Sequence, residues 1–146
     1  MSIVQVFDFG DGDGLVPAHR HVNPDGSVGG WVADTARVSE SAYIGPDALV
    51  SGNAKVFDNA SVYGDGRVYG DAWVSGNTRV SGNARVSGDA RVSGDAWVSG
   101  NAWVYDNARV CDNAMVSGDA WVSGNARVSG KGRVCCDRRV YGDGEV

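Results

Sequence analysis

The sequence predicts an all-β chain wound as one parallel β-solenoid, and three observations carry that prediction. The first is register. An aliphatic residue stands at every sixth position from Val32 to Val146 without a miss, twenty in all: nineteen valines and Ile44. A repeat of that length decides the architecture before any local motif is weighed. The second is the residue four after each aliphatic. It is Ala at fourteen of nineteen positions, and Gly66, Gly132, Gly144, Thr78 and Arg138 are the rest. The third is the pair between them, with Gly at twelve of nineteen positions two after the aliphatic and Asn or Asp at sixteen of nineteen three after.

Each element of the unit follows from these. Written V-S-G-[N/D]-A-[R/W], as in Val80 to Arg85, units join through a short strand of the type Ala-Arg-Val-Ser. Alternate side chains of a strand face opposite ways, so Ala and Val share one side and Arg/Trp and Ser/Tyr the other. Gly followed by Asn or Asp is the pair best able to turn the chain or take a positive φ. A six-residue period fits no helix, and a flat meander would need longer hairpins. A column that buries its small Val/Ala side against the next coil satisfies both signals.

Composition narrows the function classes. The chain has 146 residues and carries a net charge of −5, which argues against nucleic-acid binding through a basic surface. No run approaches the roughly 18 apolar residues of a membrane span. The start lacks a basic region ahead of its apolar stretch, so no secretion signal is expected. Cys111, Cys135 and Cys136 are an odd count without C-x-x-C spacing. They read as free thiols of a reducing compartment, and a cytoplasmic location is expected.

The aliphatic residue followed four later by a small one, repeated over 32–146, resembles the left-handed β-helix of hexapeptide-repeat proteins. The stretch Pro17–Val50 followed by repeated V-S-G-N-A-R is similar to small members from prophages and bacterial genomes that are commonly described as transferases. The resemblance implies three units per coil and about six coils, a column around 30 Å long at ~4.8 Å per coil. It also implies a homotrimer. Residues 1–31 break the period, and Ile3, Val4, Val6, Phe7 and Phe9 are apolar enough to lie across the open end as a cap. Towards Val146 the pattern decays, with Lys131 in a corner, Cys136 in place of Gly and Arg138 at an inward position. That end either blunts its own edge with charge or meets another chain.

With three units per coil the outward residues sort into three faces. One reads Trp31, Leu49, Arg67, Arg85, Trp103, Trp121, Arg139, with Tyr69, Tyr105 and Tyr141 in its second row. The next reads Arg37, Lys55, Trp73, Arg91, Arg109, Arg127, Glu145, and the third Tyr43, Ser61, Arg79, Trp97, Met115, Arg133. All five tryptophans point outward, and exposed aromatic patches mark interfaces. Trp31, Arg67, Tyr69, Arg85, Trp103, Tyr105 and Trp121 are therefore the candidate interface residues. The plainer alternative is that stacked Arg and Trp stiffen the surface through cation–π contacts.

Catalytic chemistry finds little footing. Acyltransferases of the resembled family generally use a coil histidine as general base, and its carbonic anhydrases use three around zinc. Here His19 and His21 are the only histidines, both ahead of the first coil, and no insertion interrupts the register to form a lid. They are the fallback catalytic pair; no metal and no cofactor are expected. Asp8 to Gly14 resembles part of a calcium loop but lacks its bidentate glutamate and ligand spacing, and reads as a turn. The corner row Asn53, Asp71, Asp89, Asn107, Asn125, Asp143 suggests amide ladders rather than ion binding. Ranks of outward threonine, which ice binding would need, are missing; only Thr35 and Thr78 fall in the repeats.

The expectation is a non-enzymatic, phage-associated oligomeric solenoid with a structural or binding role and a possible host or phage protein partner. The alternatives are an antagonist that captures a host protein or small ligand, and an acyl-CoA-dependent acyltransferase.

Overall fold

The computed structural model describes residues 5–146, so Ile3 and Val4 lie outside the described residues. Strand β1 (Val6–Asp8) pairs antiparallel with β2 (Leu15–Val22), and β2 pairs antiparallel with β3 (Val28–Ala33). Eighteen two-residue strands follow at six-residue intervals, from β4 (Arg37–Val38) to β21 (Arg139–Val140). They stack in parallel with partners 18 residues apart, as in Arg85 beside Trp103 and Val86 beside Val104. The result is a three-sided β-solenoid of about six coils. One side is a nine-stranded sheet that includes β1–β3, and the other two have six strands each. No helix among the described residues is long and apolar enough to cross a membrane.

The interior is the Val/Ala stripe and little else. From Val50 to Val134 every aliphatic of the register is fully buried, as is every inward alanine from Ala42 to Ala126. Strand pairs two residues long cannot hold a fold by themselves. Each is one rung of a continuous ladder, in which Trp103 N–H donates to Ala120 O at 3.0 Å and Tyr105 N–H to Val122 O at 2.9 Å. Two of the irregular inward positions behave differently. Arg138 is exposed, because an unpaired guanidinium is too costly to bury in so apolar an interior. Thr78 is fully buried with its hydroxyl unpartnered. An unmet buried hydroxyl costs about 1–3 kcal/mol, so Thr78→Val, which keeps the shape, is expected to raise the melting temperature. A drop on calorimetry would mean that the hydroxyl has a partner after all.

Corner chemistry decides where the backbone turns. All twelve corner glycines two after an aliphatic have positive φ, for instance Gly88 at 62° and Gly94 at 69°. Where Gly is replaced from residue 58 onward, Asp58, Asp106, Asp112 and Cys136 take the same conformation, with φ of 57–62°. The three aspartates offset that strain by accepting a hydrogen bond from the next coil: Gly76 N–H to Asp58 Oδ2 at 3.0 Å, Gly124 N–H to Asp106 at 3.1 Å and Gly130 N–H to Asp112 at 3.0 Å. Amide ladders form, but mostly on the other two corners. Asn59 donates to Asn77 and Asn77 to Asp95; Asn83 donates to Asn101 and Asn101 to Asp119. On the expected corner the ladder is reduced to Asn125 donating to Asp143 at 3.4 Å.

At the N-terminal end, side chains stand in for a missing coil. The Asn23 carboxamide accepts from Ile44 N–H at 2.8 Å and donates to Ile44 O at 3.0 Å, as a neighbouring strand would. His21 Nε2–H donates to Ala42 O at 2.8 Å. β3 comes in so close that a methyl group on Gly30 would sit 1.9 Å from Ala48 O, which explains a Gly-Gly pair inside a strand. Phe7 and Phe9 do not lie across the end. They pack with Val16, Ala18 and Ala33 against Trp31 and Leu49, on the outer side of the nine-stranded sheet. The β1–β2 hairpin, paired antiparallel onto β3, brings them there.

Candidate functional site

The nine-stranded side is where the outward residues gather into something more than single rows. Trp31 is stacked on Phe7, with ring centroids 5.0 Å apart and planes 15° apart, and Arg20 lies 5.7 Å over it. Further along, Trp103, Tyr105 and Trp121 form one cluster. The Trp103 ring is 4.9 Å from Tyr105 and 5.7 Å from Trp121, and Tyr105 is 6.1 Å from Trp121. Register brings them together: Trp103 and Trp121 are direct partners in the parallel pairing, and Tyr105 is two residues along the same strand face. All three are half-buried by one another. The Trp103 indole N–H donates to Ser87 Oγ at 2.9 Å, so the polar edge of the ring is satisfied.

Every tryptophan carries a cation. Arg85 lies 5.7 Å over Trp103, Arg139 4.4 Å over Trp121, Arg79 5.2 Å over Trp97, and Lys55 and Arg91 flank Trp73 at 5.2 and 5.4 Å. In each of these pairs the partners are 18 residues apart, so one rule, coil stacking, sets them all. Stiffening by stacked cations and rings therefore accounts for part of the outward aromatic content.

Between the β1–β2 loop and the upper part of the same sheet lies a cleft of about 280 Å³. Phe9, Gly10 and Asp11 form one lip, and Leu49, Ser51, Arg67, Tyr69 and Arg85 form the opposite wall. The lip is shaped locally: Asp8 Oδ1 accepts the Gly10 N–H at 2.8 Å and Gly10 turns at φ 75°. Of the seven outward residues singled out from the sequence, Arg67, Tyr69 and Arg85 thus line the cleft, Trp103, Tyr105 and Trp121 form the cluster, and Trp31 lies under Phe7. The loop's share of the cleft was not foreseen. Only the run of small and acidic residues after Phe9 pointed to a turn there.

The two histidines part company. His21 is buried and spends its Nε2–H on a backbone carbonyl, which makes it a structural residue. His19 is exposed, and its Nδ1 lies 2.8 Å from Asp34 Oδ1, the one contact between a basic side chain and a carboxylate among the described residues. No group of three or more His, Cys, Asp or Glu able to hold a metal occurs among the described residues. Two of the three thiols, Cys111 and Cys136, are held in the protonated form, which makes them poor nucleophiles at neutral pH. Burial, with help from the neighbouring Asp112, pushes the Cys111 thiol up, and the hydrogen bond to Cys135, at 3.1 Å, pushes Cys136 up.

The comparisons agree with the coil as the repeating unit. Residues 78–94, 84–100, 90–106, 108–124 and 120–135 each match the model of the YdcK beta solenoid repeat. Each match is sixteen or seventeen residues long, close to the 18 that separate stacked strands. No curated protein matches the chain. With valines and alanines lining three stacked sheets and these matches overlapping along its middle, the chain is a β-solenoid whose central coils are similar to the YdcK repeat.

Proposed function

We propose that the protein is a non-enzymatic assembly or binding solenoid, a left-handed column of hexapeptide type that forms a homotrimer and presents its remaining faces to a protein partner. The observation that carries this reading is the Trp103–Tyr105–Trp121 cluster. Three large aromatics, half-buried in one chain, sit together on one outward sheet. Clusters of this composition dominate binding energy at interfaces. The N-terminal segment acts as the cap of the column, a role supported by Asn23 and His21 occupying the backbone groups of the first coil. The resemblance to small prophage proteins supports a phage-associated origin and assembly in a host cytoplasm. Truncating the cluster with Trp103→Ala and Trp121→Ala together is expected to move the sedimentation profile to the single chain. Unchanged association in that variant would contradict the interface.

One observation favours a second reading, acyl transfer, with His19 as base: an exposed imidazole is held 2.8 Å from a carboxylate. Turnover of acyl-CoA donors with amine or sugar acceptors that vanishes in His19→Ala would install that reading; no turnover is expected.

A further inference from the structure

The cleft beside the β1–β2 loop has a chemical character that the assembly reading does not use. Arg67 and Arg85 are direct partners on neighbouring strands, so their side chains leave the sheet about 4.8 Å apart. Like charges directly opposite one another weaken a sheet. Neither guanidinium has a carboxylate partner among the described residues. Arg85 is held from beneath by Trp103. Beside the two cations stands an apolar wall of Phe9, Leu49 and the Tyr69 ring, with the buried Ser51 at its base. Asp11 on the lip is the one carboxylate lining the cleft, and it leaves the lining with a net positive charge.

We propose that this cleft binds a small organic anion, a carboxylate or phosphate carried on a flat apolar body. Arg67 and Arg85 take the acid group, since paired guanidiniums match its oxygens in bidentate fashion. Tyr69, Leu49 and Phe9 take the body. At about 280 Å³ the space suits a single-ring molecule rather than a drug-sized one. Every lining residue comes from one chain, but Arg85 adjoins the Trp103 cluster, so the oligomer mass of each variant is measured beside its binding.

The experiment is titration calorimetry of the full chain with phenyl phosphate, benzoate and inorganic phosphate. At least one aryl probe is expected to saturate at one per chain, whatever the oligomer mass, and the preferred probe identifies the acid group. Arg67→Gln with Arg85→Gln should weaken it by roughly tenfold or more, the loss expected when charge-assisted hydrogen bonds go. Tyr69→Ala should weaken the aryl probes more than inorganic phosphate. The arginines point outward, so the double variant is expected to melt normally. Should it not, Leu49→Trp fills the cleft from the apolar side and must likewise abolish binding. Failure of both aryl probes to saturate at millimolar concentration, or equal binding by the folded double arginine variant, would overturn the proposal.

Discussion

Replacing Ala90 by Leu lowers the stability of the column by about 1–3 kcal/mol, the usual cost of forcing extra methylenes into a filled core. Ala90 is fully buried, in the inward row that also holds Ala72 and Ala108 one coil to either side. Its own N–H is bonded to Ser87 O at 3.2 Å and its carbonyl accepts from Trp73 N–H at 2.9 Å, so the backbone is tied on both sides. The extra atoms have nowhere to go without separating coils. Arg109→Leu, in the next coil, exposed and without an aromatic partner, is the control, and surface changes of that kind usually stay within about 0.5 kcal/mol. Urea melts of the two variants check this, and equal midpoints would place Ala90 outside the core.

Gly88→Val is expected to be the most damaging corner substitution. Gly88 has a φ of 62°, a conformation that costs a non-glycine residue of order 1–3 kcal/mol and suits a β-branched one worst. A Cβ there would also stand 2.9 Å from the Asp106 backbone nitrogen of the next coil. Gly130 separates the two costs, since it has a φ of 57° but nothing within 4 Å of its would-be Cβ. Gly130→Val should pay for conformation alone and melt above Gly88→Val. The reverse order would show that the coils do not stack at the register described.

How much of this was legible beforehand depends on how far each feature obeys the repeat. The faces, the inward alanines and the cation over Trp103 follow from counting by 18, because parallel pairing places residue i beside i+18 and leaves no freedom. Asp58, Asp106 and Asp112 could be read as corner residues for the same reason. The ladder corner could not. All three corners carry Asn and Asp, and whether Asn53 bonds its neighbour is a matter of rotamer rather than of period. Outside the repeat there was nothing to count. Phe7 and Phe9 looked apolar enough to close an end, yet the two reversals between β1 and β3 turned them onto the outer face, and the cleft that this creates came with them. Arg138 kept its inward position in the count but lost its burial, since a guanidinium without a partner is too costly to bury among valines and alanines.

The assembly reading meets its most direct test in the mass of the intact chain in solution. Light scattering at micromolar concentration is predicted to give three times the 15.2 kDa of one chain. A mass of 15.2 kDa itself would contradict it, and would leave the Trp103–Tyr105–Trp121 cluster as surface stiffening alone.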